Sequence, residues 1–280
     1  MKLLTLNCHS LLSPAYSRDC ENFVREVLRL RPDLIALQEV NQTRTAPPAA
    51  GDLAGWTPPA AGALLRADNH ALRVARMLQE AGWPVHWTWT FAKIGYGRYE
   101  EGLALLSPGP LAQAKDWFIT RSRDPENWKV RKALSARVAL DGRPARCICV
   151  HMGWWGEEEE PFPAQWEQVE AGARQGEPCL VLGDLNAPAA ERGGGYDFVT
   201  SRGWQDAWAL ARQQEGEGSI PGVIAGWEDR LVQPVMRIDH ILTNTPLEVA
   251  RAAIVLDGRD GPAVSDHYGV LVTAKWRKTT

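Results

Sequence analysis

The 280-residue chain carries 31 Lys and Arg against 34 Asp and Glu, a formal net charge of −3 at pH 7, and 45% of its residues are hydrophobic. These values are ordinary for a globular protein with a sizeable core. The charge balance excludes a global attraction to nucleic acid or to an anionic membrane, although not a local basic patch. No apolar run reaches the length of a membrane-spanning helix, and the N-terminus enters a strand pattern directly, without a secretory signal. The five cysteines form no CxxC pair, so we expect free thiols and a cytoplasmic protein that does not contact membranes.

Hydrophobic periodicity predicts an alternation of strands with fewer helices. Strands are predicted at 2–6, 33–37, 84–92, 103–107, 134–140, 146–150, 179–182, 236–242, 249–256 and 268–272. Helices are predicted at 19–30, with Asp19 as N-cap, and at 72–81, 162–173 and 197–201. Residues 44–63, 93–99 and 215–227 have the composition of loops. The pattern predicts one layered α/β domain over residues 1–280, with two sheets face to face and helices outside.

The stretch from Cys179 to Pro188 combines a buried strand with a polar end. Cys179 to Leu182 are apolar, Gly183 frees the backbone, and Asp184 and Asn186 follow two residues apart. On an extended segment these two side chains point the same way, so the carboxylate could hold a water that the carboxamide aims. Taken alone, this stretch is better explained by a simple Asx turn, which Asp and Asn favour.

Similar polar residues are expected just past most of the other predicted strands. One by one, each has an ordinary explanation as a solvated or hydrogen-bonded group. Together they indicate an oxygen-rich site, which favours a hard cation such as Mg²⁺ or Mn²⁺ over zinc. The set consists of Asn7, Glu39, Glu101, His151, Asp184, Asn186, Asp239, Asp266 and His267.

The order of these motifs resembles that of the endonuclease/exonuclease/phosphatase superfamily. The motifs are Leu6-Asn7, Leu37-Gln38-Glu39, Glu101-Gly102, His151-Met152-Gly153, Gly183-Asp184-Leu185-Asn186, Ile238-Asp239-His240 and Ser265-Asp266-His267. The resemblance implies a DNase I-like four-layer α/β sandwich, with two central mixed sheets flanked by helices, and metal-dependent cleavage of a phosphate ester.

Further stretches resemble the bacterial maltose 6'-phosphate phosphatases within that superfamily. They include Lys93 to Tyr96, Asn127 to Lys132, Val150 to Trp155, Glu159 to Phe162 and Val264 to Gly269. This branch implies hydrolysis of a phosphate monoester on a sugar, either maltose 6'-phosphate or a related phosphorylated sugar.

The resemblance also implies roles for the individual residues. Glu39 is expected to be the main metal carboxylate, with Asn7 beside it and Asp266 near the same metal or a second one. Asp184 is expected to act as general base and Asn186 to orient the water or the phosphoryl oxygens. His267 is expected to bind the phosphoryl group while Asp239 holds its other nitrogen. His151, paired with Glu101, is expected to be a second imidazole on the phosphate.

Basic and aromatic residues are candidates for the rest of the substrate. Arg131 and Lys132 could bind the phosphate or could form a solvated basic turn. Tyr96, Trp154 and Trp155 could form a wall against a sugar face or could pack in the core. Arg192 could face the site from the loop after Asn186.

Three other functions remain open on the sequence. A Mg²⁺-dependent DNA or RNA endonuclease, or another phosphodiesterase, would use the same chemistry, but nucleic acid is not expected as partner because no broad basic track is evident. A lipid phosphodiesterase lacks an evident apolar hairpin. A non-catalytic binding domain would be expected to have lost the metal carboxylate or the base, and both are present.

Overall fold

Two β-sheets form the centre of the protein. The computed structural model describes residues 1–59, 64–173, 176–230 and 232–277. The first sheet has the strand order β10-β12-β13-β1-β2-β4-β3, and the second has the order β5-β6-β7-β8-β11-β9. The strands are β1 Lys2–Asn7, β2 Leu34–Thr43, β3 His86–Gly95, β4 Tyr99–Ser107, β5 Ala112–Phe118, β6 Lys132–Leu140, β7 Arg143–His151, β8 Cys179–Asp184, β9 Gln205–Asp206, β10 Gln213–Glu215, β11 Asp239–Thr243, β12 Leu247–Val255 and β13 Gly269–Trp276.

Helices cover the outer face of each sheet. The helices are α1 Tyr16–Leu30, α2 His70–Glu80, α3 Phe162–Gly172 and α4 Gly195–Ser201, with a 3₁₀ turn at Ser10–Leu12. Residues of α1 and α2 pack on the first sheet, and residues of α3 and α4 pack on the second. None of the helices in the described ranges combines the length and apolar character that a membrane-spanning segment needs. The expected four-layer α/β sandwich is confirmed.

The central strands are apolar on both faces because each face is covered. In β2, Leu34 and Ala36 join the core between the sheets, whereas Ile35 and Leu37 face the helices. In β8, Leu180 and Leu182 face the other sheet, and Cys179 and Val181 face α3 and α4. Since side chains alternate along a strand, a continuous apolar run is what a strand buried on two sides requires.

Several predicted boundaries were wrong, and the reasons are local. Helix α1 begins at Tyr16 after Ala15, so Asp19 lies in the first turn instead of capping it, and its carboxylate accepts a hydrogen bond from Ser13. Strand β2 does not end at Leu37 but continues through a bulge to Thr43. Most of the loop predicted at 93–99 belongs to the β3–β4 hairpin, which turns at Tyr96 and Gly97.

The strands without a clear apolar pattern were not predicted. Strand β5 is largely exposed and polar, and β9 and β10 are two and three residues long, so none has a clear apolar period. The predicted loop at 44–63 is irregular as far as residue 59, and its last four residues, 60–63, lie outside the described ranges.

Candidate active site

The polar motifs converge at one edge of the two sheets. The parallel pairing of β1 with β2 ends there in the first sheet, and the parallel pairing of β7 with β8 ends there in the second. Their antiparallel neighbours begin at the same edge, so Asp239 opens β11 opposite Asp184, and Asp266 and His267 precede β13. The expectation that the polar residues lie just past strands was therefore wrong for Asp239, Asp266 and His267. It was also wrong for Glu39 and Glu101, which lie within β2 and β4, yet the convergence itself holds.

A cavity of about 370 Å³ lies at this edge. It is lined by residues from both sheets and from the loops that join their strands at this edge. The lining includes Asn7, His9, Glu39, Lys93, Tyr96, Glu101, Trp128, Arg131, His151, Trp154, Asp184, Asn186, Ile224, Gly226, Trp227, Asp266 and His267.

Backbone strain is concentrated in this lining. His9, Glu39, Tyr96 and Asn186 all line the cavity and all have φ near +50°. Side chains other than glycine seldom adopt this left-handed conformation, and it persists where the surroundings enforce it, often at functional sites. For Glu39 the cause is the bulge in β2, which turns the carboxylate toward the cavity.

Glu39 and Asn7 form the first polar group of the cavity. The Nδ2 atom of Asn7 donates to Oε1 of Glu39 at 2.9 Å and to Oδ2 of Asp184 at 3.2 Å. Nδ1 of His9 lies 3.4 Å from Oε2 of Glu39 and 3.6 Å from Oδ1 of Asp266. Although burial acts to raise it, the pKa of Glu39 lies below its ordinary value because of the hydrogen bond from His9 and the nearby His151.

The side-chain oxygen atoms of this first group fit a hard divalent cation. Carboxylate and amide oxygens are the ligands that Mg²⁺ or Mn²⁺ prefers. Glu39, Asn7 and Asp266 are the residues that would hold it, and His9, which the sequence analysis did not assign to the site, lies between the two carboxylates.

Asp184, Asp239 and His267 form the second polar group. Atoms of these three buried side chains lie within 4.8 Å of one another. Nδ1 of His267 contacts Oδ2 of Asp239 at 2.9 Å, and Nε2 lies 3.9 Å from Oδ2 of Asp184. Burial and the charge of Asp239 raise the pKa of Asp184 to about 7. Burial acts to lower the pKa of His267, but the charge and hydrogen bond of Asp239 raise it to about 10.

His151 and Glu101 both line the cavity, but their expected pairing is wrong. Nε2 of His151 lies 3.6 Å from Oδ2 of Asp184, whereas Oε1 of Glu101 lies 3.3 Å from Nζ of Lys93. The β3–β4 hairpin places Lys93 directly opposite Glu101, which is why this carboxylate meets a lysine instead of the imidazole. Burial and the charge of Arg131 hold the pKa of His151 well below its ordinary value, so the ring is neutral at pH 7.

The candidate substrate residues divide into two groups. Arg131, Tyr96 and Trp154 line the cavity. Lys132 does not line it, because its ammonium pairs with Asp116 at 2.7 Å on the neighbouring strand β5. Arg192 is exposed and pairs with Asp197 at the start of α4.

Trp155 is also outside the cavity lining. Its ring packs against Phe162 and Phe198 at centroid distances of 5.7 and 5.9 Å, in the core of the second sheet and its helices. Consecutive residues in a turn point in different directions, so only one ring of this pair can face the site. Trp128, which lies 5.8 Å from Trp154 and is 51% exposed, takes the other place in the wall.

Four polar or aromatic lining residues were missing from the predicted site. They are His9, Lys93, Trp128 and Trp227. Lys93 and Trp128 lie in stretches that carry the family resemblance, but the sequence assigned no role to them. A lysine or tryptophan in such a segment gives no signal in a single sequence, because only the tertiary structure decides which way it points.

Comparison with known proteins shows the family of this chain and agrees with its fold. The sequence matches the Endonuclease/Exonuclease/phosphatase family over residues 4–267, and the chain belongs to that family. Its members are metal-dependent phosphatases and nucleases, and this chain has the buried acidic and imidazole groups that such hydrolysis uses. Comparison with curated proteins finds no match.

Solved structures share the fold at low sequence identity. A family protein from Leptotrichia buccalis C-1013-b superposes with a TM-score of 0.87 at 22% identity, covering 99% of this chain and 100% of the other. A mannosyl-6-phosphatase from Bacteroides thetaiotaomicron VPI-5482 has a TM-score of 0.64 at 16% identity, with 99% and 100% covered. D. rerio TDP2 complexed with a single-strand DNA product has a TM-score of 0.61 at 15% identity, with 98% of each chain covered.

Proposed function

We propose that the chain is a divalent-metal-dependent phosphatase that hydrolyses the phosphate monoester of a sugar phosphate, maltose 6'-phosphate or a related phosphorylated sugar. The observation that carries this proposal is the composition of the cavity. The cavity is lined by the two polar groups that contain Glu39 and Asp184. The basic side chains of Lys93 and Arg131 line the same cavity, together with the paired rings of Trp128 and Trp154. The mannosyl-6-phosphatase with the same fold acts on a substrate of this kind, as its name states.

Asp184 is the proposed general base. Its carboxylate is buried, and a pKa raised to about 7 makes it a base strong enough to take a proton from water near neutral pH. Asn7 and the backbone N–H of Asn186 each donate to this carboxylate, at 3.2 and 2.8 Å, and hold it in place. Asn186 is proposed to orient the attacking water or a phosphoryl oxygen.

His267 is the proposed cationic donor to the phosphoryl group. Because Asp239 is bonded to Nδ1, the ring remains protonated and Nε2–H is free to donate. The neutral His151 adds a second donor or acceptor beside Asp184. In-line attack on a dianion requires such donors around its equatorial oxygens.

A divalent cation, Mg²⁺ or Mn²⁺, would be held by Glu39, Asn7 and Asp266. When bound, it would supply Lewis-acid stabilisation of charge on the phosphoryl and leaving oxygens. His9 contacts both Glu39 and Asp266 and would hold the two carboxylates close to each other.

Lys93 and Arg131 are proposed to bind the substrate's anionic group. Nη1 of Arg131 donates to the carbonyls of Trp128 and Val130 at 2.8 and 3.1 Å, and these are the only hydrogen bonds of its side chain to described residues. Nε of Arg131 is buried and finds no acceptor in the described ranges. Two N–H groups of Lys93 reach Glu101 and the carbonyl of Trp128, and an ammonium has a third. These donors suit a phosphate dianion.

The aromatic wall is proposed to contact the sugar. Tyr96 is 71% and Trp128 is 51% exposed, and both line the cavity, so their rings are free to contact a ligand bound there. Flat rings pack well on the apolar face of a pyranose while its hydroxyls reach polar neighbours.

We propose that residues 1–280 act as one catalytic domain, since lining residues come from β1 through the segment before β13. The five buried free thiols suit a cytoplasmic enzyme.

A nuclease is the second candidate. The exposed rings of Tyr96 and Trp128 could also stack on bases, and a structural neighbour was solved with single-strand DNA. Nucleic-acid binding depends steeply on salt because phosphate contacts release counterions. A small sugar phosphate, which offers one phosphate group instead of a chain of them, should show only a weak salt dependence.

A phosphate-release screen tests the proposal. Purified protein with Mg²⁺ or Mn²⁺ is assayed on disaccharide and monosaccharide 6-phosphates, with plasmid DNA as the counter-screen and Asp184→Asn as the control for contaminating phosphatase. We expect phosphate release from a sugar phosphate with a nearly salt-independent KM. Nicking of DNA without turnover of any phosphomonoester would contradict the proposed substrate.

A further inference from the structure

A hydrogen bond joins the indole of Trp227 to the side chain of Asn186. Nε1–H of Trp227 donates to Oδ1 of Asn186 at 3.0 Å, and each residue is only 3% exposed. Trp227 comes from the loop between β10 and β11, whereas Asn186 follows β8, so the contact joins two separate parts of the cavity wall.

The other contacts of Asn186 make this bond informative. Nδ2 donates to the carbonyl of Met152 at 2.9 Å, and the backbone N–H donates to Asp184 at 2.8 Å. A carboxamide has two N–H donors on one end and an acceptor on the other. With Oδ1 facing Trp227 and one N–H facing Met152, the amide is held at both ends, and its second N–H is left for the cavity.

An apolar cluster holds the indole in this place. Trp227 packs with Ile220, Met236 and Ile238, and Trp154 lies against the same cluster. At Gly226, which has φ +84°, an added Cβ would lie 2.7 Å from the ring of Trp154. The loop is therefore packed on the proposed sugar wall on one side and bonded to the proposed catalytic amide on the other.

We propose that Trp227 is a positioning residue that sets the orientation of the Asn186 carboxamide, so that its free N–H faces the attacking water or a phosphoryl oxygen. The proposal rests on the proposed function for the role of Asn186. What the proposal adds is that turnover requires the indole N–H of Trp227 and not merely the bulk of its ring.

Trp227→Phe removes the donor and keeps an aromatic ring in the cluster. We expect kcat to fall on the order of 10- to 100-fold, as when partners that orient a catalytic group are removed, with KM within about twofold of the wild type. Trp166→Phe is the matched control, because Trp166 is fully buried and its indole nitrogen has no partner among the described residues. It lies outside the cavity lining, so kcat should not change.

A double-mutant cycle separates positioning from packing. Asn186→Ala should lower kcat by about 10²–10³, as for loss of a donor to the developing charge. Adding Trp227→Phe to Asn186→Ala should then change kcat little. Full kcat in Trp227→Phe, an effect on KM alone, or losses that multiply in the double variant would overturn the proposal.

The indole N–H resonance gives a readout that does not depend on the substrate. In ¹H–¹⁵N NMR spectra the Trp227 signal, assigned by its loss in Trp227→Phe, should shift and exchange faster in Asn186→Ala, and an unmoved signal would overturn the proposal.

If the wild type hydrolyses p-nitrophenyl phosphate or DNA but no sugar phosphate, the proposed function alone fails. The double-mutant cycle is then measured on the ester that the wild type hydrolyses.

Discussion

Nδ1 of His267 lies 2.9 Å from Oδ2 of Asp239, although 28 residues separate them in the chain. The carboxylate is fully buried and the ring is 3% exposed, so this ion pair is formed in a site from which water is largely excluded. The pairing explains why the imidazole keeps its proton, and it makes the electrostatics of the site depend on Asp239, which does not line the cavity.

Asp239→Asn should lower kcat by about 10²–10⁴, because His267 loses the charge that keeps it cationic. The pKa of His267, followed by NMR titration of its ring protons, should fall in the variant from its raised value of about 10. Asp116→Asn is the control, since Asp116 also pairs with a base, Lys132, but lies outside the cavity lining. An unchanged His267 titration in Asp239→Asn would contradict the assignment.

Asp184→Asn should leave a folded protein with kcat lowered by about 10²–10⁴, because the amide cannot accept the proton of the attacking water. The substitution is nearly isosteric and keeps the contacts with Asn7 possible. Circular dichroism and thermal melting check the fold, and steady-state phosphate release measures the rate. Turnover near that of the wild type would remove Asp184 as the base.

Chelation of divalent cations should abolish activity, and added Mg²⁺ or Mn²⁺ should restore it. Glu39→Gln should raise the metal concentration needed for half-maximal activity about tenfold or more, because it removes the main anionic ligand. Titration calorimetry on wild type and variant gives the affinity independently of turnover. Equal affinities would place the cation away from Glu39.

Trp154 and Trp155 should respond differently to truncation. Trp154→Ala should raise KM about 2- to 10-fold with a smaller change in kcat, the size of a lost ring contact. Trp155→Ala should leave KM unchanged and lower the free energy of unfolding by about 2 kcal/mol or more, since its ring packs on Phe162 and Phe198. A raised KM in Trp155→Ala would contradict the structure.

The stability of the protein should fall in mild acid because of His70. This ring is 3% exposed, and burial together with the charge of Arg73 lowers its pKa from 6.5 to about 3. The unfolded chain therefore binds the proton first, and stability that is complete above pH 6.5 is lost as the pH falls toward 3. The loss is about 1.4 kcal/mol per pH unit for one group.

His70→Gln cannot take up that proton, so urea unfolding between pH 6 and 4.5 should show a shallower loss than in the wild type. Parallel curves for the two proteins would mean that the pKa of His70 is the same in the folded and unfolded states, which would contradict its lowered value.

The sequence alone determined the layered α/β architecture and the residues that converge. Runs such as Cys179 to Leu182 predict strands covered on both faces, because an apolar side chain on either face must be buried. Asn7, Glu39, Asp184 and His267 were found because their motifs follow or precede such runs, and all four line one cavity.

Only the tertiary structure decided how these residues pair and which neighbours join them. Glu101 meets Lys93 and not His151 because the β3–β4 register places them opposite each other. Trp154 faces the cavity while Trp155 packs in the core, and Trp227 reaches Asn186 from 41 residues away. Local patterns specify which face of an element is apolar, but the direction of a polar or aromatic side chain in a turn depends on strand register and loop packing, which are properties of the whole fold.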